Sequence, residues 1–245
     1  MWTSSARSTV FVLAMWASAA IAPALAGDLA DFNAAMERAA THNRVAIGYL
    51  RTGNSDLATL EIDRLREAWG QLTQRYASKR PDAFDGNPLY TSLWTVVSAH
   101  LVGADMMLKI GRADAAASAL HALRGDLSAL RKASGIVVLA DCVRDANTTM
   151  EAFMVYDDAA LDWTKPETRF AIAATASIYG HLLARCDGIA SDAIRKEPEF
   201  RRLIDGALAG LAFIPKAIAT RDTNLLHRVL GELRSFDNLL AFRFG

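Results

Sequence analysis

The chain has 245 residues, 27 Lys+Arg against 27 Asp+Glu, 52% hydrophobic residues and two cysteines. Zero net charge argues against nucleic-acid binding and a polybasic membrane-surface role, and the apolar content argues against disorder. Two cysteines exclude a disulfide-dense small fold and leave no thiolate quartet for structural zinc or an iron–sulfur cluster.

Residues 1–26 read as a secretory signal peptide. Arg7 is the only charged residue in that stretch, an apolar run follows from Val10 to Ile21, and Pro23-Ala24-Leu25-Ala26 ends it with an A-x-A cleavage pattern. The run is roughly 12 residues, short of the ~20 that a spanning helix needs. Cleavage is expected near Ala26-Gly27, giving a periplasmic or secreted protein in an oxidising compartment. No later stretch of about 18 uncharged apolar residues appears, so no membrane span is expected after the leader is removed.

From residue 28 onward the apolar periodicity is helical, and it repeats. Leu29, Phe32, Met36, Ala39, Asn43, Ala46 and Leu50 follow a 3-4 spacing that returns as Asn87, Tyr90, Trp94, Val97, Leu101, Ala104 and Leu108. It returns again as Ile204, Ala207, Leu211, Ile214 and Ile218. The following helix behaves alike: Ala58, Ile62, Leu65, Trp69 and Leu72 match Ala116, Leu120, Leu123, Leu127 and Leu130, then Leu226, Leu230, Leu233, Asp237 and Leu240. Each copy turns at one place, through Thr52-Gly53-Asn54, Ile110-Gly111-Arg112 and Thr220-Arg221-Asp222. Asp56, Asp114 and Asn224 share a position suited to cap or charge the second helix, and Arg66, Arg124 and Arg234 coincide as well.

Residues 138–190, between the second and the last of these units, hold the third and diverged copy of four: a helix around Leu139–Tyr156, a turn through Asp157–Pro166 and a helix around Glu167–Arg185. Its seam, Ala171, Thr175, Ile178, Leu182 and Ile189, is looser. The expected fold is all-α: tandem antiparallel helical hairpins, about eight helices, forming two four-helix up-down bundles at 28–133 and 137–245. An α-solenoid of hairpins is the alternative. Joints fall near Arg80–Pro88, Ser134–Gly135 and Asp187–Pro198, and Pro215 should kink its helix.

Cys142 and Cys186 are equidistant from residue 164, within the third hairpin's turn, so antiparallel register places them side by side. A structural disulfide is expected, worth about 4 kcal/mol by the chain-entropy model for a loop of about 45 residues.

No catalytic motif is present: no G-x-S-x-G, H-E-x-x-H, P-loop or G-x-G-x-x-G, and no C-x-x-C-H for covalent haem. His42 and His100 occupy one repeat position, 11 residues before Gly53 and Gly111, and Met107 lies seven residues after His100. With nearby Met36 and Met106, these form a candidate set for b-type haem or copper, although packed core flank is the stronger reading of the same residues. His121, His181 and His227 share no repeat position. Asn43 and Asp237 put polar groups on otherwise apolar seams, which marks either register specification or a polar pocket near Arg234 and Arg243. Phe84, Tyr90 and Trp94 either cap the first core or line a cleft. Asn147-Thr148-Thr149 matches a glycosylation sequon but lies mid-helix.

The sequence therefore points to a non-enzymatic exported helical-repeat protein that binds an envelope protein or small molecule, with no cofactor required. A metal- or haem-binding bundle is the alternative.

Overall fold

The computed structural model describes residues 22–158 and 160–245. Residues 1–21 of the expected leader lie outside the described residues. The long elements are α1 (Ala22–Arg51), α2 (Ser55–Tyr76), α3 (Pro88–Lys109), α4 (Ala113–Ala133), α5 (Leu139–Phe153), α7 (Pro166–Ile189), α9 (Pro198–Leu211), α10 (Ile214–Thr220) and α11 (Thr223–Phe244). Single-turn helices α6 (Val155–Asp158) and α8 (Asp192–Arg195) sit in the connections, and no strand occurs among the described residues.

The helices form two four-helix bundles. In the first, α1 packs on α2, α2 on α3, α3 on α4, and α4 closes on α1; in the second, α5, α7, α9 and α11 form the same ring. Each ring encloses its own apolar core. Phe32, Ile62, Leu65, Val97, Leu101, Leu120 and Leu130 are buried in the first; Val143, Met150, Ile172, Leu203, Ile204, Leu230 and Leu233 in the second. In the first bundle these are the 3-4 seam residues of the sequence, as are Ile204, Leu230 and Leu233 in the second, and shallow-angle bundle packing follows from that spacing.

The three repeated turns share one backbone solution. Gly53 and Gly111 take φ of 77° and 74°, and the residue after each donates back five positions: Asn54 N to Tyr49 O at 2.9 Å, Arg112 N to Met107 O at 2.8 Å. In the fourth hairpin Arg221 takes the same left-handed position at φ 53°, and Asp222 N reaches Ala217 O at 2.9 Å. This is the ordinary αL helix stop, here imposed on an arginine. Asp56 and Asp114 charge the first turns of α2 and α4, whereas in the fourth copy Asp222, rather than Asn224, caps α11 by accepting from Leu225 N at 2.9 Å.

Cys142 and Cys186 are bonded, with Cα atoms 5.4 Å apart, tying α5 to α7. The seam of α7 differs from the expected one by a residue. Ile172, Tyr179, Leu183 and Cys186 are buried, while Ile178 is 54% exposed. Facing Tyr179 inward satisfies its hydroxyl on Asp237 and aims Cys186 at Cys142, and these two outweigh the aliphatic count on the other face.

Pro215 does more than kink its helix. α9 ends at Leu211 and α10 restarts at Ile214 with the proline in its first turn, where a missing N–H costs nothing. Pro198–Thr220 is apolar enough by composition to cross a membrane, at mean hydropathy 1.5 with a third of that window buried. In the fold it contributes Phe200, Leu203, Ile204, Ala207, Ile214 and Ala217 to the second core.

Candidate functional site

The two bundles meet along α1 and α4 of the first and α5 and α11 of the second. α1 and α11 run antiparallel: Arg44 Nη1 donates to Gly245 O at 2.7 Å, and Arg51 Nη1 donates to Asn238 Oδ1 at 2.7 Å. Between these rungs Gly48 lies under Phe242, where a Cβ would come within 3.1 Å of the ring. α4 and α5 are joined by the short segment 134–138 and also run antiparallel. Arg131 grips Asp141 through two bonds of 2.7 and 2.6 Å, and Arg144 Nη2 donates to Ser128 Oγ at 2.9 Å.

These four helices surround a third interior, in which charged side chains mix with apolar wall. Two cavities of about 310 and 640 Å³ lie there, sharing Arg44, Arg124 and Phe242 in their walls. Seven arginines and five carboxylates line them together. A protein of zero net charge has thus concentrated positive charge at one internal junction.

Some of that charge is matched. Arg44, 6% exposed, pairs with Glu37 at 2.6 Å, and Arg144 pairs with Asp145 at 2.9 Å. Burial would raise the Asp141 carboxyl, but the hydrogen bonds and charge of Arg131, aided by Ser128 and Arg144, outweigh it and hold Asp141 below the usual range. Arg124 is different. No carboxylate of the described residues lies within 4.0 Å of it, and its Nη2 is inaccessible with no hydrogen-bond partner. Burial, then the nearby charges of Arg44 and Arg144, pull its guanidinium down to about 10, so it remains charged at neutral pH. Arg44 Nε and Arg144 Nε are likewise buried without partners. A half-buried cation without a direct ion pair is costly, and around Arg124 the charges of Arg44, Arg144 and Arg131 oppose it while only that of Asp141 favours it.

The smaller cavity adds Arg51, Arg234 and His121, with Ile47, Gly48 and Phe242 as an apolar wall. Burial, then the charges of Arg124 and Arg51, lower the His121 imidazole below its ordinary value. It is therefore neutral at pH 7. Asp114 and Glu151 stand at the exposed rim, outside ion-pair distance of any cation among the described residues. Asn147 lines this cavity and links it to a buried carboxylate: its Nδ2 donates to Asp237 Oδ2 at 2.6 Å, and Tyr179 donates to Asp237 Oδ1 at 3.1 Å. Burial pushes Asp237 up to about 6.

Compared with known proteins, the chain matches no protein-family model, no curated protein and no solved structure. The functional reading therefore rests on the geometry.

The residues expected from sequence fall elsewhere. His42 Nδ1 sits 2.7 Å from Glu61, which also holds Arg64, and His100 Nε2 sits 2.9 Å from Asp126. Each histidine is thereby occupied within its own hairpin, and Met107 is half-buried against the first core. No group of three or more His, Cys, Asp or Glu among the described residues is placed to hold a metal. Asn43, fully buried, donates from Nδ2 to Leu120 O at 3.2 Å inside the first bundle, so it and Asp237 belong to different bundles and share no pocket. Arg234 does line the cavity behind Asp237, as expected, while Arg243 lines the larger one. Phe84, Tyr90 and Trp94 are buried, with Phe84 stacked on Tyr90 at 5.2 Å, and they close the end of the first core rather than open a cleft.

One signal of the cleft was present in the repeat. Arg124 and Arg234 are equivalent positions on the last helix of each bundle, and both face the junction; Arg66, the third equivalent, faces outward to Asp63 and Asp105.

A second concavity, about 590 Å³, runs between α7 and α9–α10 and is floored by Ala173, Ala176 and Gly180. Its lining is almost wholly apolar. Ligand sites combine an apolar wall with a few convergent polar groups, and of the two concavities only the junction has both.

Proposed function

We propose that this protein is a non-enzymatic, exported binding protein of the cell envelope that holds a small molecule in the cleft between its two bundles. The observation that carries this reading is a cavity lined from both bundles in which Arg51, Arg124 and Arg234 have no carboxylate of the described residues within 4.0 Å. A cavity of about 310 Å³ is at the small end of ligand pockets, which favours a compact ligand. The leader pattern and the disulfide support an oxidising, extracytoplasmic location.

Thermal-shift screening tests this, using a panel of organic acids, sugars, amino acids and amines against the wild type and Asn238→Trp. Asn238 lies in the cleft wall outside both apolar cores, so the indole fills the cleft without touching either. The expected outcome is at least one compound that raises the wild-type Tm by several degrees and leaves the variant unmoved. If every compound that shifts the wild type shifts the variant equally, the cleft is not the binding site.

A further inference from the structure

We propose that the ligand of this cleft is a compact dianion, carrying either two carboxylates or a phosphate, with Arg124 as its principal anchor. This rests on the reading of the junction as a ligand site and specifies what the site takes.

Arg51, Arg124 and Arg234 line the smaller cavity, and none has a carboxylate of the described residues within 4.0 Å. By contrast, Arg131 and Arg144 at the same junction each have one. Arg51 also ties the bundles through Asn238, but to a neutral acceptor, so its charge and those of Arg124 and Arg234 have no ion-pair partner among the described residues. An Arg fork is complementary to planar or tetrahedral oxyanions, so three of them around one cavity select for acidic oxygen rather than for a neutral polar group. The two acidic groups at the rim, Asp114 and Glu151, are exposed and make no ion pair among the described residues, so no arginine of the cavity is neutralised by them through direct contact.

More than one acidic group is needed. Arg51 on α1, Arg124 on α4 and Arg234 on α11 reach the cavity from three helices, so three positive charges border it. Ile47 and Gly48 give an apolar strip for a short spacer. Arg234 and Asn147 approach from the second bundle, so the bound anion touches both halves of the molecule. Neutral His121 offers one further donor or acceptor at the wall.

Calorimetric titration of the whole chain at pH 7 tests this, with succinate, inorganic phosphate and the neutral analogue succinamide as probes. The variants are Arg124→Gln, Arg234→Gln and Arg66→Gln; the last removes the same charge at the equivalent repeat position outside the cleft. The expected result is saturable one-to-one binding of succinate or phosphate that weakens with added salt, at least 10-fold weaker in Arg124→Gln and unchanged in Arg66→Gln. Arg234 is exposed, so Arg234→Gln keeps the test decisive should Arg124→Gln fold poorly. Tighter succinate assigns dicarboxylates, and tighter phosphate assigns phosphorylated compounds. The proposal is overturned if neither anion binds, if succinamide binds as well as succinate, or if Arg66→Gln and Arg124→Gln weaken binding equally. A neutral compound whose thermal shift is lost in Asn238→Trp would overturn the dianion while leaving the cleft as the binding site.

Discussion

Asp237 shows how one buried carboxyl ties stability to pH. It is 1% exposed, held by Asn147 and Tyr179, and burial raises it to about 6 from an unfolded value near 3.8. The folded state therefore keeps this proton after the unfolded chain has lost it. The resulting stability is fully present below about pH 4 and is lost as pH rises through about 6. The size is on the order of 2–3 kcal/mol, one to two powers of ten in the folding equilibrium per the linkage relation. Asp237→Asn removes the charge and keeps one acceptor oxygen, so one of the two bonds survives unless the Asn147 amide turns over to present its oxygen. Denaturant melts across pH 4–8 should show the wild type losing ground to the variant through that window; parallel curves would mean that Asp237 does not titrate there. Asn43 is the counterpart in the first bundle, its Oδ1 buried without a partner where the repeat elsewhere places Leu101 and Leu211. Both seam exceptions were legible as exceptions. Their partners were not, because Leu120 O, Asn147 and Tyr179 come from helices 58 to 90 residues away in the chain.

At the scale of elements, the hairpins could be read because helix periodicity and turn chemistry are local. Gly53 and Gly111 mark the left-handed stop, and Arg221 adopts it without the residue that favours it. Arg221→Gly should stabilise by about 1 kcal/mol, the cost of αL for a side chain, and Gly111→Ala should destabilise by a similar amount. A chemical denaturation midpoint that falls in Arg221→Gly would show that the arginine side chain contributes more than its backbone costs. The disulfide was legible for the same reason, since antiparallel register is arithmetic once the turn is located. Reducing it should lower the Tm by at least about 10 °C if its worth is near the 4 kcal/mol of the chain-entropy model. A melt unchanged by reductant would leave the bond without a structural role. The phase of α7 was not legible, because Ile178 and Tyr179 are adjacent and apolar periodicity does not choose between them. The choice was made by a hydrogen bond to α11.

At the scale of the whole molecule, the junction between the bundles escaped sequence reasoning. Its charged residues lie off both apolar seams and read as ordinary surface positions on four separate helices. Charge balance hid it further, because 27 against 27 averages away a local excess of arginine. The two cores account for folding without it, so the cleft's unmatched charge is a burden on the fold that a bound anion would relieve. Stability and function should then oppose each other at Arg124. The most direct measurement is the Tm of ligand-free Arg124→Gln against that of ligand-free wild type. Removing a half-buried cation that faces Arg44 and Arg144 should leave the melt unchanged or raise it. A fall of several degrees would make Arg124 a structural tie between the bundles and contradict its assignment to a ligand.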